Sequence, residues 1–340
     1  TDPVSFIRQF ECVTIDEIQR VPELIREIKI SVDQDQRPGR FLLTGSANIL
    51  TIPTGTESLA GRISVSELLP LSQCEIEHRE HNLLDRLFDS DQTPFPIGPY
   101  DVTGLEARVL SGGYPEMLSR STEARKRAWI KDYVRTLLTR DIKEIMNAHN
   151  LKEITTLLQA SAIQSAQLVV YTHIANDLRL SVPTVQRYIG TLEQMFLIRL
   201  LPAWHRNELK RLIRTPKLHF LDSRLLALIR KISLSRIESD RSLFGPLLES
   251  FAYAELLKHA AWSDQAYYFY HYRDKDKVEV DFVIERSTDE LVGVEVKASA
   301  TIIIVFLQSA ADATLRKSRS RCVSTLRRQQ SCSGDPAPTL

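Results

Sequence analysis

Apolar residues follow two rhythms along the chain, and the switches between them divide it. Over residues 11–76, short apolar runs alternate with helical spacing. Cys12–Ile15 is a mostly apolar run, Leu24, Ile25 and Ile28 recur at helix period after Pro22, and Phe41–Leu43 is a second run after Pro38 and Gly39. That β-α-β rhythm predicts a parallel sheet with helices on its faces. Residues 77–104 are polar and carry Pro94, Pro96 and Pro99, which predicts a loop or lid. From Leu105 to about Ile232 the period is helical, most clearly in Ala107–Leu110, Trp129–Leu138 and Leu151–Leu158. After Phe244 comes a helix (Leu247–His259), an aromatic run (Tyr267–Tyr272) and two alternating strands, Val278–Ile284 and Leu291–Val296, the pattern of a second α/β unit.

Composition narrows this little. The chain has 340 residues, 26% of them charged and 43% hydrophobic, with a net charge of +1, as expected for two or three soluble globular domains. Cys12, Cys74, Cys322 and Cys332 fit neither a paired framework nor a zinc knuckle, and His78 with His81 reads as a solvated helix face. The longest apolar run, Ile302 to Leu307, is far too short to cross a bilayer, and no basic-then-apolar leader precedes the first domain. The expectation is a cytoplasmic protein without a membrane partner; the oligomeric state stays open.

The first candidate chemistry lies where the first apolar run ends in Asp16 and Glu17. Acids at the carboxyl end of a buried strand lie where ligands bind in α/β sheets, as in the Walker B strand of P-loop ATPases. There Asp16 would hold Mg²⁺ and Glu17 would polarise the attacking water. The second run ends in Thr44, Ser46 and Asn48, small polar groups suited to sensing a γ-phosphate, with Ser46 the first choice. Arg62, in "ESLAGRI", is a candidate charge-stabilising arginine or an ordinary surface arginine.

"TIDEIQRVPEL", "FLLTGSAN", "SLAGRI", "ELLPLSQCE", "SGGYPEML" and "YVRTLLTRDI" follow one another in the order seen in a large group of prokaryotic AAA-type ATPases. The chain resembles that group over roughly residues 8–300. The resemblance implies an ATP- and Mg²⁺-using domain, a C-terminal domain of uncharacterised function, and an N-terminal strand and P-loop. No G-x-x-x-x-G-K-[ST] occurs in the 340 residues. Backbone N–H groups and the lysine of such a loop cradle the phosphates, so weak ATP binding is expected of this chain as given.

Residues 171–201 carry Ile174 and Leu178, a turn near Leu180, and then Val185, Ile189 and Leu192, with Ser181 placed to cap a second helix and Pro183 in its first turn. Followed by strand-like Leu197–Leu201, this looks like a winged helix-turn-helix. Thr184, Gln186, Arg187 and Thr191 would then face DNA, and Arg206, Lys210, Arg211 and Arg214 would form a basic wing. The equally weighted alternative is a module that only packs against the ATPase domain.

In "KVEVDFVIERSTDELVGVEVKAS", pairing Glu285 with Leu291 would set Asp281 opposite Glu295 and Glu279 opposite Lys297. Cβ atoms of opposed residues lie about 5 Å apart, close enough for two carboxylates to share one Mg²⁺. The stretch resembles the D-x(n)-E-x-K core of restriction-endonuclease-like nucleases. That resemblance implies Asp281 and Glu295 as metal ligands with Lys297 assisting the attack, Glu249 as a further acid on the preceding helix, and Arg273 on a phosphate. The bland reading is a hairpin with ordinary cross-strand ion pairs. Such a fold continues with a helix and a strand, of which Thr301–Leu340 gives little sign. Those forty residues carry net +4 in a chain of net +1, and the change near Ala300 suggests a disordered basic tail or a frameshifted ending.

The expected fold class is therefore α/β. A partial P-loop sheet (1–76) is followed by a loop or lid (77–104), a helical region (105–235) with the winged module at about 150–215, a nuclease-like domain (240–300) and an atypical tail (301–340). The expected function is that of an ATPase relative acting on nucleic acid with defective ATP binding. The alternative is a non-enzymatic DNA- or protein-binding module in which both sites are vestigial.

Overall fold

The computed structural model describes residues 2–46, 59, 61–80, 82–88, 102–138, 151–274, 276, 278–287, 290–298 and 304–308. Asn48, His81, the prolines of the expected lid, Cys322, Cys332 and the basic residues of the tail lie outside them. Two compact units emerge, one formed by residues 1–68, 131–158 and 175–198, the other by residues 69–130, 159–174 and 199–340.

The first unit contains the expected β-α-β rhythm. Strand β1 (Val13–Ile15) pairs in parallel with β2 (Phe41–Leu43), Val13 against Phe41 and Ile15 against Leu43. Helices α1 (Pro3–Ile7) and α2 (Glu23–Gln34) supply the apolar layer, in which Ile7, Ile18, Leu24, Ile25, Ile28 and Leu59 bury together and Ile15, Phe41 and Leu43 pack on them. Leu42 alternates to the other face and is 60% exposed, so β2 is covered on one face only among the described residues. This departs from the fully buried strand expected from the apolar run.

The second unit opens with short helices α3 (Gln73–Ile76), capped by the Ser72–Glu75 capping box, and α4 (Leu83–Phe88). Helices α5 (Val102–Ser111), α6 (Pro115–Leu118) and most of α7 (Glu123–Thr136) follow. The "SGGYP" glycines are a close-packing device. Gly112 sits at φ +68°, where a Cβ would lie 2.6 Å from Arg224 Cβ, and a Cβ on Gly113 would lie 2.2 Å from the Leu71 carbonyl oxygen. That tight approach lets the buried Asp222 accept from the Gly113 N–H and from the Leu225 N–H, each at 2.8 Å.

The middle of the chain runs α8 (Leu151–Ile163), β3 (Gln167–Leu168), α9 (Tyr171–Leu178), α10 (Val182–Gln194), β4 (Ile198–Leu201), α11 (Glu208–Ile213) and β5 (Lys217–Phe220). Ser181 caps α10 as expected, accepting from the Thr184 N–H at 3.2 Å. The three strands form a sheet in the order β3-β5-β4.

Beyond α12 (Ser223–Ile229) and α13 (Leu234–Ser239), the long α14 (Phe244–Ala261) precedes a meander of β6 (Tyr268–Arg273), β7 (Glu279–Ser287), β8 (Glu290–Val296) and β9 (Ile304–Gln308). All neighbouring pairs are antiparallel, and Glu285 pairs with Leu291 as expected. Phe282, Ile284, Val292 and Val294 bury with Tyr253 and Leu256 of α14 and with Leu84, Leu87 and Phe88 of α4. Val283 and Leu291 bury with Trp204 and Tyr272, so both sheet faces are covered. The ending also corrects an expectation. Ile304–Gln308 is a strand at the sheet edge, pairing with β8, Val296 against Ile304.

Candidate functional site

Polar groups of the first unit gather where both parallel strands end. The Thr44 N–H donates to the Ile15 carbonyl at 3.0 Å and the Ile18 N–H to the Thr44 carbonyl at 3.1 Å, which fixes the β1 exit against the β2 exit. The Thr44 hydroxyl donates to the exposed Asp16 carboxylate. Glu17 adopts the left-handed conformation, φ 54° and ψ 46°, at the start of the 3-10 turn Ile18–Arg20. For a residue other than glycine this costs on the order of 1 kcal/mol. Gln19 donates to the Glu17 carboxylate and, at 3.3 Å, to the Ser46 hydroxyl.

Asp16, Glu17, Thr44 and Ser46 are thus brought together, with Gln19 as the link that sequence reading missed. Its only signal is a polar residue two positions after Glu17. An exposed carboxylate beside a hydroxyl is a hard oxygen donor set that suits a hydrated Mg²⁺. Arg62 is not part of this group. It pairs with Asp33 of α2 and lines a groove with Gly39 and Arg40 at the amino end of β2, opposite the end that carries Ser46.

On α10, Gln186 and Arg187 are exposed, and Thr184 is half-buried with its hydroxyl 2.8 Å from that of Ser181. Thr191 corrects the expectation of an outward face. It is buried, and its hydroxyl donates to the Arg187 carbonyl at 3.0 Å. The reason is helical period: Tyr188, Thr191, Leu192 and Met195 fall on one buried stripe. Of the expected wing, Arg206, Lys210 and Arg214 are exposed. Arg211 instead reaches Glu285 at 2.8 Å and lies over the rings of Trp204 and Tyr270.

The C-terminal acids form a buried charge cluster around a residue that sequence reading did not single out. Lys217 of β5, its side chain 9% exposed, donates to Glu249 Oε1 of α14 at 2.9 Å and lies 3.6 Å from Asp281 Oδ1 of β7. The other Asp281 oxygen accepts from the Val296 N–H of β8 at 2.8 Å. Continuing the β7–β8 register one step sets Asp281 opposite Glu295, whose Oε2 is 3.6 Å from Lys297. The expected Glu279 partner pairs with Arg273 at 2.9 Å.

Burial raises the Glu249 carboxyl to about 7, with the neighbouring Asp281 charge adding to it against the pull of Lys217. Burial opposes the Lys217 ammonium, yet Glu249 and Asp281 more than offset this and its pKa is raised. The two shifts agree, because Asp281 attracts the ammonium and repels the carboxylate. His219, two residues along β5, is fully buried and held neutral by burial, its pKa well below the usual histidine value. Its Nδ1 lies 3.3 Å from the Ser250 hydroxyl, while Nε2 lies 3.9 Å from Glu249 Oε1 with no hydrogen-bond partner. The signal for Lys217 and His219 was their period-two placement in "PKLHF".

A divalent metal does not fit this arrangement as it stands. Among the described residues no three His, Cys, Asp or Glu are gathered closely enough to hold one, and an ammonium lies against Glu249 and Asp281.

Three family models match stretches of the chain. Residues 4–77 match the family model of an AAA domain, residues 102–236 a domain of unknown function (DUF8612) and residues 244–334 another (DUF4143). The last match runs across the compositional change near Ala300. Uncharacterized proteins of Mycobacterium tuberculosis and Mycobacterium bovis are each 28% identical over 296 residues, covering 85% of this chain and 59% of theirs. An uncharacterized protein of Methanocaldococcus jannaschii is 24% identical over 294 residues, covering 85% of this chain and 62% of its own. The chain thus spans about three fifths of the length of these curated relatives. No solved structure matches it. The AAA-domain and DUF4143 matches together support an AAA-type ATPase-like family. No helix among the described residues is long and apolar enough to cross a membrane.

Proposed function

We propose that this protein is an AAA-type ATPase relative that handles Mg²⁺-ATP at the carboxyl ends of β1 and β2 and acts on nucleic acid. The observation that carries the reading is the convergence there of Asp16 with Thr44, and of Glu17 with Gln19 and Ser46. Bound Mg²⁺-ATP would supply the phosphoanhydride and the metal charge. Thr44 would hold the Asp16 carboxylate for a hydrated metal. Glu17, held by Gln19, would polarise the attacking water, and Ser46 on the same amide would sense the γ-phosphate. The nucleic-acid half rests on Gln186 and Arg187, exposed on a capped helix that follows another across a tight turn.

The test is ATP titration of the whole chain with and without Mg²⁺, followed by calorimetry up to millimolar nucleotide. Mg²⁺ is expected to strengthen whatever binding is present. Asp16→Ala should abolish that increment, and Asp35→Asn, at a half-buried acid paired with Arg37, should keep it. An Mg²⁺ increment that persists in Asp16→Ala, or none at all in the parent chain, overturns the reading.

One observation favours a second reading, a DNA-binding module without cleavage: the Lys217 ammonium lies against Asp281 and Glu249, two of the three acids that a nuclease of this pattern would give to a metal. Salt-sensitive DNA binding without Mg²⁺-dependent nicking supports it. Nicking that disappears in Asp281→Ala removes it.

A further inference from the structure

The least ordinary group in the second unit is Lys217. A lysine is rarely buried without a partner, and this one reaches carboxylates on two different elements, α14 and β7. Beside it His219 presents a fully buried, unpartnered Nε2 toward Glu249. An imidazole nitrogen and two carboxylates are donor types that take cations, and both carboxylates here flank one ammonium, with the bare nitrogen 3.9 Å from Glu249. Here the positive charge comes from the chain itself. Lys297, the lysine that the D-x(n)-E-x-K pattern reserves for the attacking step, is separate: its side chain is 47% exposed and lies against Glu295.

We propose that Lys217 is the resident cation of this cluster, closing Glu249, Asp281 and His219 to a divalent metal while the ammonium is in place. The proposal rests on the nuclease-like reading of the C-terminal elements and specifies what that reading leaves open, namely which positive charge the acids hold. An ammonium satisfies them without an exchangeable ligand. It also ties β5 to α14 and β7 through one side chain, so the charge that a catalytic relative would take from solution has become part of the core. The domain then binds its partner without hydrolysing it.

The experiment measures Mn²⁺ binding by the loss of the free-ion electron paramagnetic resonance signal. It uses the full chain in an Asp16→Ala background, which removes the metal position of the first unit. The chain with Lys217 intact is expected to show no saturable Mn²⁺ binding that Glu249→Gln abolishes. Lys217→Met should tighten Mn²⁺ binding at least tenfold, and adding Glu249→Gln to it should reverse the gain. Lys217→Gln, which keeps a polar group in the buried position, serves if the methionine variant does not fold.

Wild-type Lys217 with Glu249-dependent Mn²⁺ binding would overturn the proposal while leaving a nuclease-like metal site standing. Folded lysine variants that gain nothing would overturn the proposal and the nuclease-like reading together.

Discussion

Glu249→Gln is expected to stabilise the second unit at neutral and alkaline pH and to do nothing at acid pH. A carboxyl whose pKa is raised on folding takes up a proton in the folded chain before the unfolded chain does. Between about 4.5 and about 7 the folded state therefore holds more protons, and stability falls as pH rises through that window. The span corresponds to about 3 kcal/mol at 1.36 kcal/mol per pH unit. No discount for solvent is needed, because the side chain is only 16% exposed. Glutamine has the shape of protonated glutamate, and its amide oxygen still accepts from Lys217. The variant should thus gain about 3 kcal/mol above pH 8 and match the parent near pH 4.5. Urea unfolding followed by tryptophan fluorescence measures this cleanly, because the three tryptophans, Trp129, Trp204 and Trp262, all belong to the second unit. A difference between variant and parent that does not change from pH 4.5 to pH 8 refutes the argument. A variant less stable than the parent at pH 8 would show that the ion pair outweighs the burial cost.

Two further outcomes can be checked with the same protein. Asp222→Ala strands the Gly113 and Leu225 N–H groups, and at about 1–3 kcal/mol for each buried donor left without an acceptor it should cost the second unit about 3 kcal/mol or more. Asp222→Asn keeps one acceptor and should cost roughly half of that in the same urea assay. Arg187→Ala should weaken DNA binding and lower the slope of log affinity against log salt by about one. Thr191→Ala should leave both unchanged, since Thr191 is buried; fluorescence anisotropy across a salt series would show either failure.

Features set by local chemistry were legible in the sequence. The β7–β8 register followed from alternation and turn length, and the α10 cap from a serine placed before Val-Pro. The meeting of Asp16 with Thr44 followed from two apolar runs ending in polar residues. Features set by what packs from elsewhere were not. Whether Thr191 faces out depends on which stripe of α10 is buried, and its residue type is compatible with either. Lys217 is hidden because a lysine beginning an apolar strand resembles a strand terminus until Glu249 and Asp281 arrive from about thirty and sixty residues later. Strand β9 is hidden for a related reason: its apolar run heads a stretch of basic and small polar residues, and only pairing with β8 defines it as a sheet edge.

The two acid sites differ in a way that bears on function more than either motif does. Asp16 is exposed, its carboxylate oriented by one neutral hydroxyl, so its charge remains available to a ligand arriving from solution. Asp281 is 8% exposed, with one oxygen on the Val296 N–H and the other facing Lys217, so its charge is already spent inside the protein. Breaking such a buried pair costs about 3–5 kcal/mol, and a metal competing for Asp281 would have to supply that much before binding at all. Glu17 and Glu249 repeat the contrast: one is held in a strained backbone conformation beside open polar groups, the other is driven toward neutrality by burial. Of the two sites, the ends of β1 and β2 therefore present the acid that is open to an exchangeable ligand. The C-terminal cluster, with its positive charge built in, is suited to holding α14, β5 and β7 in a fixed arrangement.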